Sequence, residues 1–153
     1  MKDSKISQFM VRYPHCVPPD LGLKETMDTM RELAIRHLPV VQEERLVGIV
    51  SERDLKSALS LPEAKTLAVG DIMKRDVFVA HSDMALSEVA SEMADGKLGS
   101  AIIADAGGNV TGIFTTTDAL RILASLAEEG SIEEYLLDYE SYDNTLPKAS
   151  LDW

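Results

Sequence analysis

Two seven-residue stretches, GIVSERD at 48–54 and GIFTTTD at 112–118, set a hydroxyl residue three positions ahead of an aspartate. Each follows an apolar strand-like run and opens a run with helical spacing. Ser51 or Thr115 then falls at the cap of a helix, where a hydroxyl and free backbone N–H groups gather and favour an anion such as phosphate. Asp54 or Asp118 falls in the first turn, and a carboxylate there can accept two hydrogen bonds from a vicinal diol such as a ribose. Phosphate near the hydroxyl and ribose on the acid together suit a nucleotide. Gly48 or Gly112, at the head of each stretch, lets another group approach the backbone closely. Ser/Thr-x-x-Asp is also close to a capping box, which needs no ligand, and duplication copies a cap as faithfully as it copies a site.

The elements that must hold these residues occur twice. Slid against itself by 63 positions, the chain brings Met10 onto Met73, Leu23 onto Leu86, Glu25 onto Glu88 and Met30 onto Met93. After Val41 the offset is 64, because the second copy carries one extra residue near Gly107-Gly108. The repeats run over 6–61 and 69–126. Each begins with a short extended piece (Cys16-Val17; Val77–Ala80). A helix follows, carrying Leu23, Met27, Met30, Leu33 and Ala34 in the first copy and Leu86, Val89, Ala90, Met93 and Ala94 in the second. Ser82 or Asp83 is the expected cap of the second of these helices. Two apolar strands come next, LPVV (38–41) with LVGIV (46–50), and AIIA (101–104) with VTGIF (110–114), each pair joined by a polar turn. A last helix starts at the Ser/Thr-x-x-Asp segment. The fold class expected is α/β, and the fully apolar strands suit sheets covered on both faces. A unit of about 60 residues is marginal alone, so the two copies are expected to pack together.

Composition narrows the function classes. The 153 residues carry a formal net charge of −11, which disfavours nucleic acid and anionic membranes as partners. No apolar run is long enough to span a bilayer, and MKDSKISQFM lacks a signal peptide's apolar core, so a cytoplasmic protein without membrane insertion is expected. Cys16 is the single cysteine, which excludes an internal disulfide. It adjoins His15, but neighbours in an extended segment point to opposite faces. His37 and His81 have no histidine at helical spacing, and no Cys-x-x-Cys occurs, so neither a transition-metal site nor an enzyme is expected. The methionines at 27, 30 and 93 suit helix packing, and Gly107-Gly108-Asn109 suits a turn between strands. Beyond the repeats, 131–153 is expected to hold a C-terminal helix, with Ile132, Tyr135, Leu136 and Tyr139 on one face, and a polar tail.

The ordered set of DIM (71–73) with QFM (8–10), HLPVV (37–41), LVGIVSERDL (46–55) and VTGIFTTTDAL (110–120) resembles a tandem pair of cystathionine-β-synthase (CBS) domains, a Bateman module. The resemblance covers about four fifths of the chain. It implies two βαββα units (α+β in content) packed through their sheets with pseudo-two-fold symmetry. It also implies a cleft between the repeats that takes an adenosine-containing ligand: AMP, ADP, ATP or S-adenosylmethionine. Carried onto this sequence, it puts ribose on Asp54 and Asp118, with Ser51, Thr115 and Thr117 near ribose or phosphate. Adenine would lie against Val17, Pro18, Leu38 and Pro39, or against Val79, Ala80, Ala101 and Ile102. Arg36, His37 and Arg53 would meet phosphate in the first copy, where the second has Gly99 and Ser100, which predicts unequal sites. The function implied is a regulatory, non-enzymatic module that forms a homodimer and acts on a separate enzyme or transporter. Helix residues Leu55, Leu59, Leu120 and Leu123 would supply the dimer surface. The alternative is a scaffold of the same fold without a physiological nucleotide.

Overall fold

A computed structural model of the chain describes residues 4–128. The helix and tail expected over 131–153 lie outside the described residues. In chain order the elements are β1 (Val11–Arg12), α1 (Leu23–Glu32), β2 (His37–Gln42), β3 (Arg45–Ser51), α2 (Glu52–Leu59), α3 (Val69–Ile72), β4 (Val79–His81), α4 (Leu86–Asp95), β5 (Ser100–Ala104), β6 (Val110–Thr115) and α5 (Thr116–Ala127). A single 3-10 turn, Ile6–Gln8, precedes β1.

Two compact units account for these elements, and their limits differ from those of the sequence repeats. Residues 14–77 form one unit; residues 4–13 and 78–128 form the other. The leading segment of each repeat therefore folds with the body of the other repeat. Ile6, Phe9 and Met10 are buried in the core of Val89, Met93, Ala101, Ile103, Phe114 and Ile122. Val69 is buried, and Ile72 and Met73 partly so, against Leu23, Met27, Met30, Leu38, Val50 and Leu55. Burying one such side chain contributes about 1.5–3 kcal/mol, so each borrowed segment is a substantial part of a small core.

The sheets show the same exchange. In the 78–128 unit the strand order is β1-β6-β5-β4, with β4 parallel to β5 and the other pairs antiparallel. In the 14–77 unit β2 and β3 pair antiparallel. Val17 bridges in parallel to Val40, as β4 does to β5, and Lys74 bridges to Ile49, as β1 does to β6. The first extended piece of repeat one, Cys16-Val17, is thus one bridge rather than a strand. Val17 gives its N–H to the Pro39 carbonyl at 3.0 Å, and its own carbonyl accepts from the Val41 N–H at 2.9 Å.

Both seven-residue stretches cross a strand–helix junction, β3 into α2 and β6 into α5. Of the faces expected on the helices ahead of the strands, Leu23, Met27 and Met30 are buried on α1 and Val89 and Met93 on α4, whereas α1 ends before Leu33 and Ala34, and Ala34 and Ala94 are exposed. The cap of α4 is Ala85, without a side-chain hydrogen bond, so Ser82 and Asp83 do not serve there. Their segment instead meets the chain's leading end: the Ser7 N–H donates to the Ser82 carbonyl and the Ile6 N–H to the Met84 carbonyl, at 3.2 and 2.8 Å.

Candidate functional site

The glycines at 48 and 112 are where the exchanged segments come closest. A Cβ on Gly48 would lie 2.6 Å from Met73 Sδ and 2.8 Å from the Lys74 carbonyl oxygen. One on Gly112 would collide with the Met10 side chain and sit 3.2 Å from the Val11 carbonyl oxygen. The group that approaches the backbone at both positions is therefore the protein's own methionine segment.

At the first junction Ser51 is the cap of α2. Its Oγ accepts from the Asp54 N–H at 3.1 Å and donates to Asp54 Oδ2 at 2.7 Å, while its N–H donates to the same oxygen at 3.2 Å. The capping box is thus real. Asp54 is half-buried, and among the described residues no hydrogen bond reaches its Oδ1. The β2–β3 register sets His37 opposite Ser51, which brings His37, Ser51 and Asp54 to one end of the hairpin. The Arg36 carbonyl accepts the Glu52 N–H at 2.8 Å, so the first and third N–H groups of α2 are taken by protein. Lys56, bonded to Glu52 at 2.8 Å, holds that carboxyl below its ordinary range despite its partial burial, and Arg36 adds to the effect. Of the residues expected to meet phosphate, Arg36 and Arg53 are exposed and His37 half-buried.

The second junction has the same frame with different availability. Thr115 Oγ1 accepts from the Asp118 N–H at 3.3 Å, and Asp118 Oδ2 accepts from the Thr115 N–H and Oγ1, both at 2.7 Å. Ser100 stands opposite Thr115 in register, and the Thr116 N–H donates to the Gly99 carbonyl at 3.1 Å. Asp118, however, is only 2% exposed, and its Oδ1 pairs with Arg121 Nη1 at 3.7 Å. Thr117 is half-buried on the same turn. Arg121 was not among the residues expected at this site, although its place one turn after the aspartate is a readable i, i+3 signal.

Most residues named for adenine have side chains committed elsewhere. Val17 and Leu38 belong to one hydrophobic core, Ala80 and Ala101 to the other; Pro39 and Ile102 are likewise buried. Pro18 is exposed and Val79 is 43% exposed, so these two can offer side-chain surface. Of the leucines expected on a dimer surface, Leu55 is wholly buried, which removes it, and Leu59 is partly buried against the same core. Leu120 and Leu123 on α5 are 63% and 60% exposed. His15 and His81 are exposed, and the Cys16 thiol donates to the Pro14 carbonyl at 3.4 Å. Among the described residues no group of His, Cys, Asp and Glu could hold a metal ion, and no helix is long and apolar enough to cross a membrane.

Residues 6–61 and 69–125 each match the CBS domain family, and the chain belongs to that family as a tandem pair of CBS domains. Its fold is that of solved CBS domain pairs. It superposes on the CBS domain pair of protein MJ0100, in complex with 5'-methylthioadenosine and S-adenosyl-L-methionine, with a TM-score of 0.74, 27% identity, and coverage of 80% of this chain and 97% of that one. On CBSX2 in complex with AMP the TM-score is 0.71, with 26% identity over 81% of this chain and 98% of that one. Among curated relatives, an inosine-5'-monophosphate dehydrogenase of Methanocaldococcus jannaschii is 32% identical over 118 residues, 76% of this chain but 23% of the relative. An uncharacterised protein of the same organism is 28% identical over 120 residues, 78% of this chain and 40% of the relative. The chain thus spans less than half the length of these curated relatives.

Proposed function

We propose that this chain is a non-enzymatic regulatory module of the cytoplasm that binds an adenosine-containing ligand and passes its occupancy to a partner protein. The single observation that carries the reading is the first junction. A half-buried aspartate, oriented by its own cap, keeps one carboxylate oxygen without a hydrogen bond from the described residues, beside His37 and two exposed arginines. That arrangement suits a ribose diol on Asp54, with phosphate toward Ser51, Arg36 and Arg53. The complexes of MJ0100 with 5'-methylthioadenosine and S-adenosylmethionine, and of CBSX2 with AMP, support the ligand class. AMP, ADP, ATP and S-adenosylmethionine are the candidates. The exposed Leu120 and Leu123 support a homodimer through α5, and the acidic balance supports a partner other than nucleic acid or membrane.

Calorimetric titration with the four ligands tests the reading. At least one is expected to bind the parent, and Asp54→Ala is expected to weaken it at least tenfold. A second reading, a scaffold of the same fold, is favoured by one observation: both aspartates already accept local hydrogen bonds at Oδ2. Absence of binding by all four ligands would select it.

A further inference from the structure

Resting on the adenosine reading, we infer that the Arg121–Asp118 ion pair closes the second half-site, so that only the Asp54 half-site of each chain takes an adenosine ligand. The two repeats share the frame of the junction: glycine, hydroxyl cap, aspartate, hydrogen bonds from cap to Oδ2, and a paired strand opposite. They differ in what meets the aspartate's other oxygen. In the second copy it is Arg121, one turn along α5, at 3.7 Å, with side chains 16% and 3% exposed for Arg121 and Asp118. With the 64-residue offset, the matching position in the first copy is Ser57, whose side chain is exposed and leaves Asp54 Oδ1 alone among the described residues.

The chemistry follows from that difference. A ribose needs an aspartate whose oxygens point to accessible space and can accept from two hydroxyls. Asp118 is buried, with Oδ2 holding the cap and Oδ1 facing a guanidinium. A neutral diol would have to displace a charged partner at low dielectric and leave that guanidinium buried beside it, which is unfavourable because breaking a buried pair strands a charge. Arg121 thus acts as a built-in occupant. The neighbouring residues differ in the same sense: Arg36 precedes and His37 opens the strand opposite Ser51, where Gly99 and Ser100 hold the matching places opposite Thr115.

The test uses native mass spectrometry and calorimetry of the full chain with AMP and with S-adenosylmethionine as probes. The parent is expected to saturate at one ligand per chain, Asp54→Asn to lose it, and Asp118→Asn to keep it. Arg121→Ser, which copies the first repeat, is expected to gain a second binding event. Because that variant leaves a buried acid and could unfold, Ser57→Arg at the exposed position of the first repeat tests the same idea in reverse: it is expected to weaken binding at least tenfold. Two ligands per parent chain with one lost in Asp118→Asn, or unchanged affinity in Ser57→Arg, would overturn the inference while the adenosine reading stood. No binding of either probe to the parent would overturn both.

Discussion

A methyl group on Gly48 would press against Met73 Sδ and against the Lys74 carbonyl, which is fixed by its bridge to Ile49. The sulfur can move; the backbone oxygen moves only if the bridge breaks. Gly48→Ala is therefore expected to cost about 1–3 kcal/mol, the usual range for overpacking a filled core, with an unchanged denaturant m-value in urea unfolding. An alanine that stabilised the chain would refute the packing role. The spacing of Ser51 and Asp54 was legible in the sequence because a capping box is a local pattern. That Asp54 and Asp118 differ in burial was not, since burial depends on residues far along the chain. Arg121 lies within one turn of Asp118, a local signal, but it belongs to one repeat alone and so is absent from the pattern the repeats share.

Among the elements, the β5–β6 turn offers a distinct prediction. Asp105 Oδ1 accepts from the Gly107 and Asn109 N–H groups, both at 2.9 Å, and the Asn109 amide reaches both carboxylate oxygens. The Asn109 N–H first, then its side chain, hold the Asp105 carboxyl below its ordinary value. A depressed folded value means that the contribution is complete above the unfolded pKa, about 4, and fades as pH falls through the lowered folded one. Thermal melts should show Asp105→Ala below the parent by a few degrees at neutral pH, with the gap narrowing in acid. A gap that widened in acid would rule the turn's carboxylate out. The helices and strands themselves were readable from apolar period and length. The α4 cap differs from the sequence expectation because Ser82 and Asp83 have the residue types of caps, whereas the chain there is held by backbone bonds from Ile6 and Ser7.

At the scale of the molecule, the mismatch between repeats and compact units decides what can fold. The fragment 14–77 contains every residue of its core, from Val17 to Val69 and Met73, while 6–61 lacks Val69, Ile72 and Met73. Circular dichroism and amide dispersion should find more ordered structure in 14–77 than in 6–61. Equal order in the two would argue against the borrowed segment. The duplication is legible in the sequence, yet hydrophobic pattern alone does not say which copy a Met10 or Met73 serves. Both copies present the same glycine to the same methionine, so a swap leaves every local pattern intact.

The exchange also orders events in time. On a ribosome the 14–77 unit has all its parts once residue 77 has emerged, and it can close while synthesis continues. Ile6, Phe9 and Met10 are translated earlier but wait for Phe114 and Ile122 before their hydrophobic surface has a home. Contacts joining such distant positions form slowly. These apolar residues are made before the 14–77 unit and shielded after it, and chaperone capture during translation should concentrate on them.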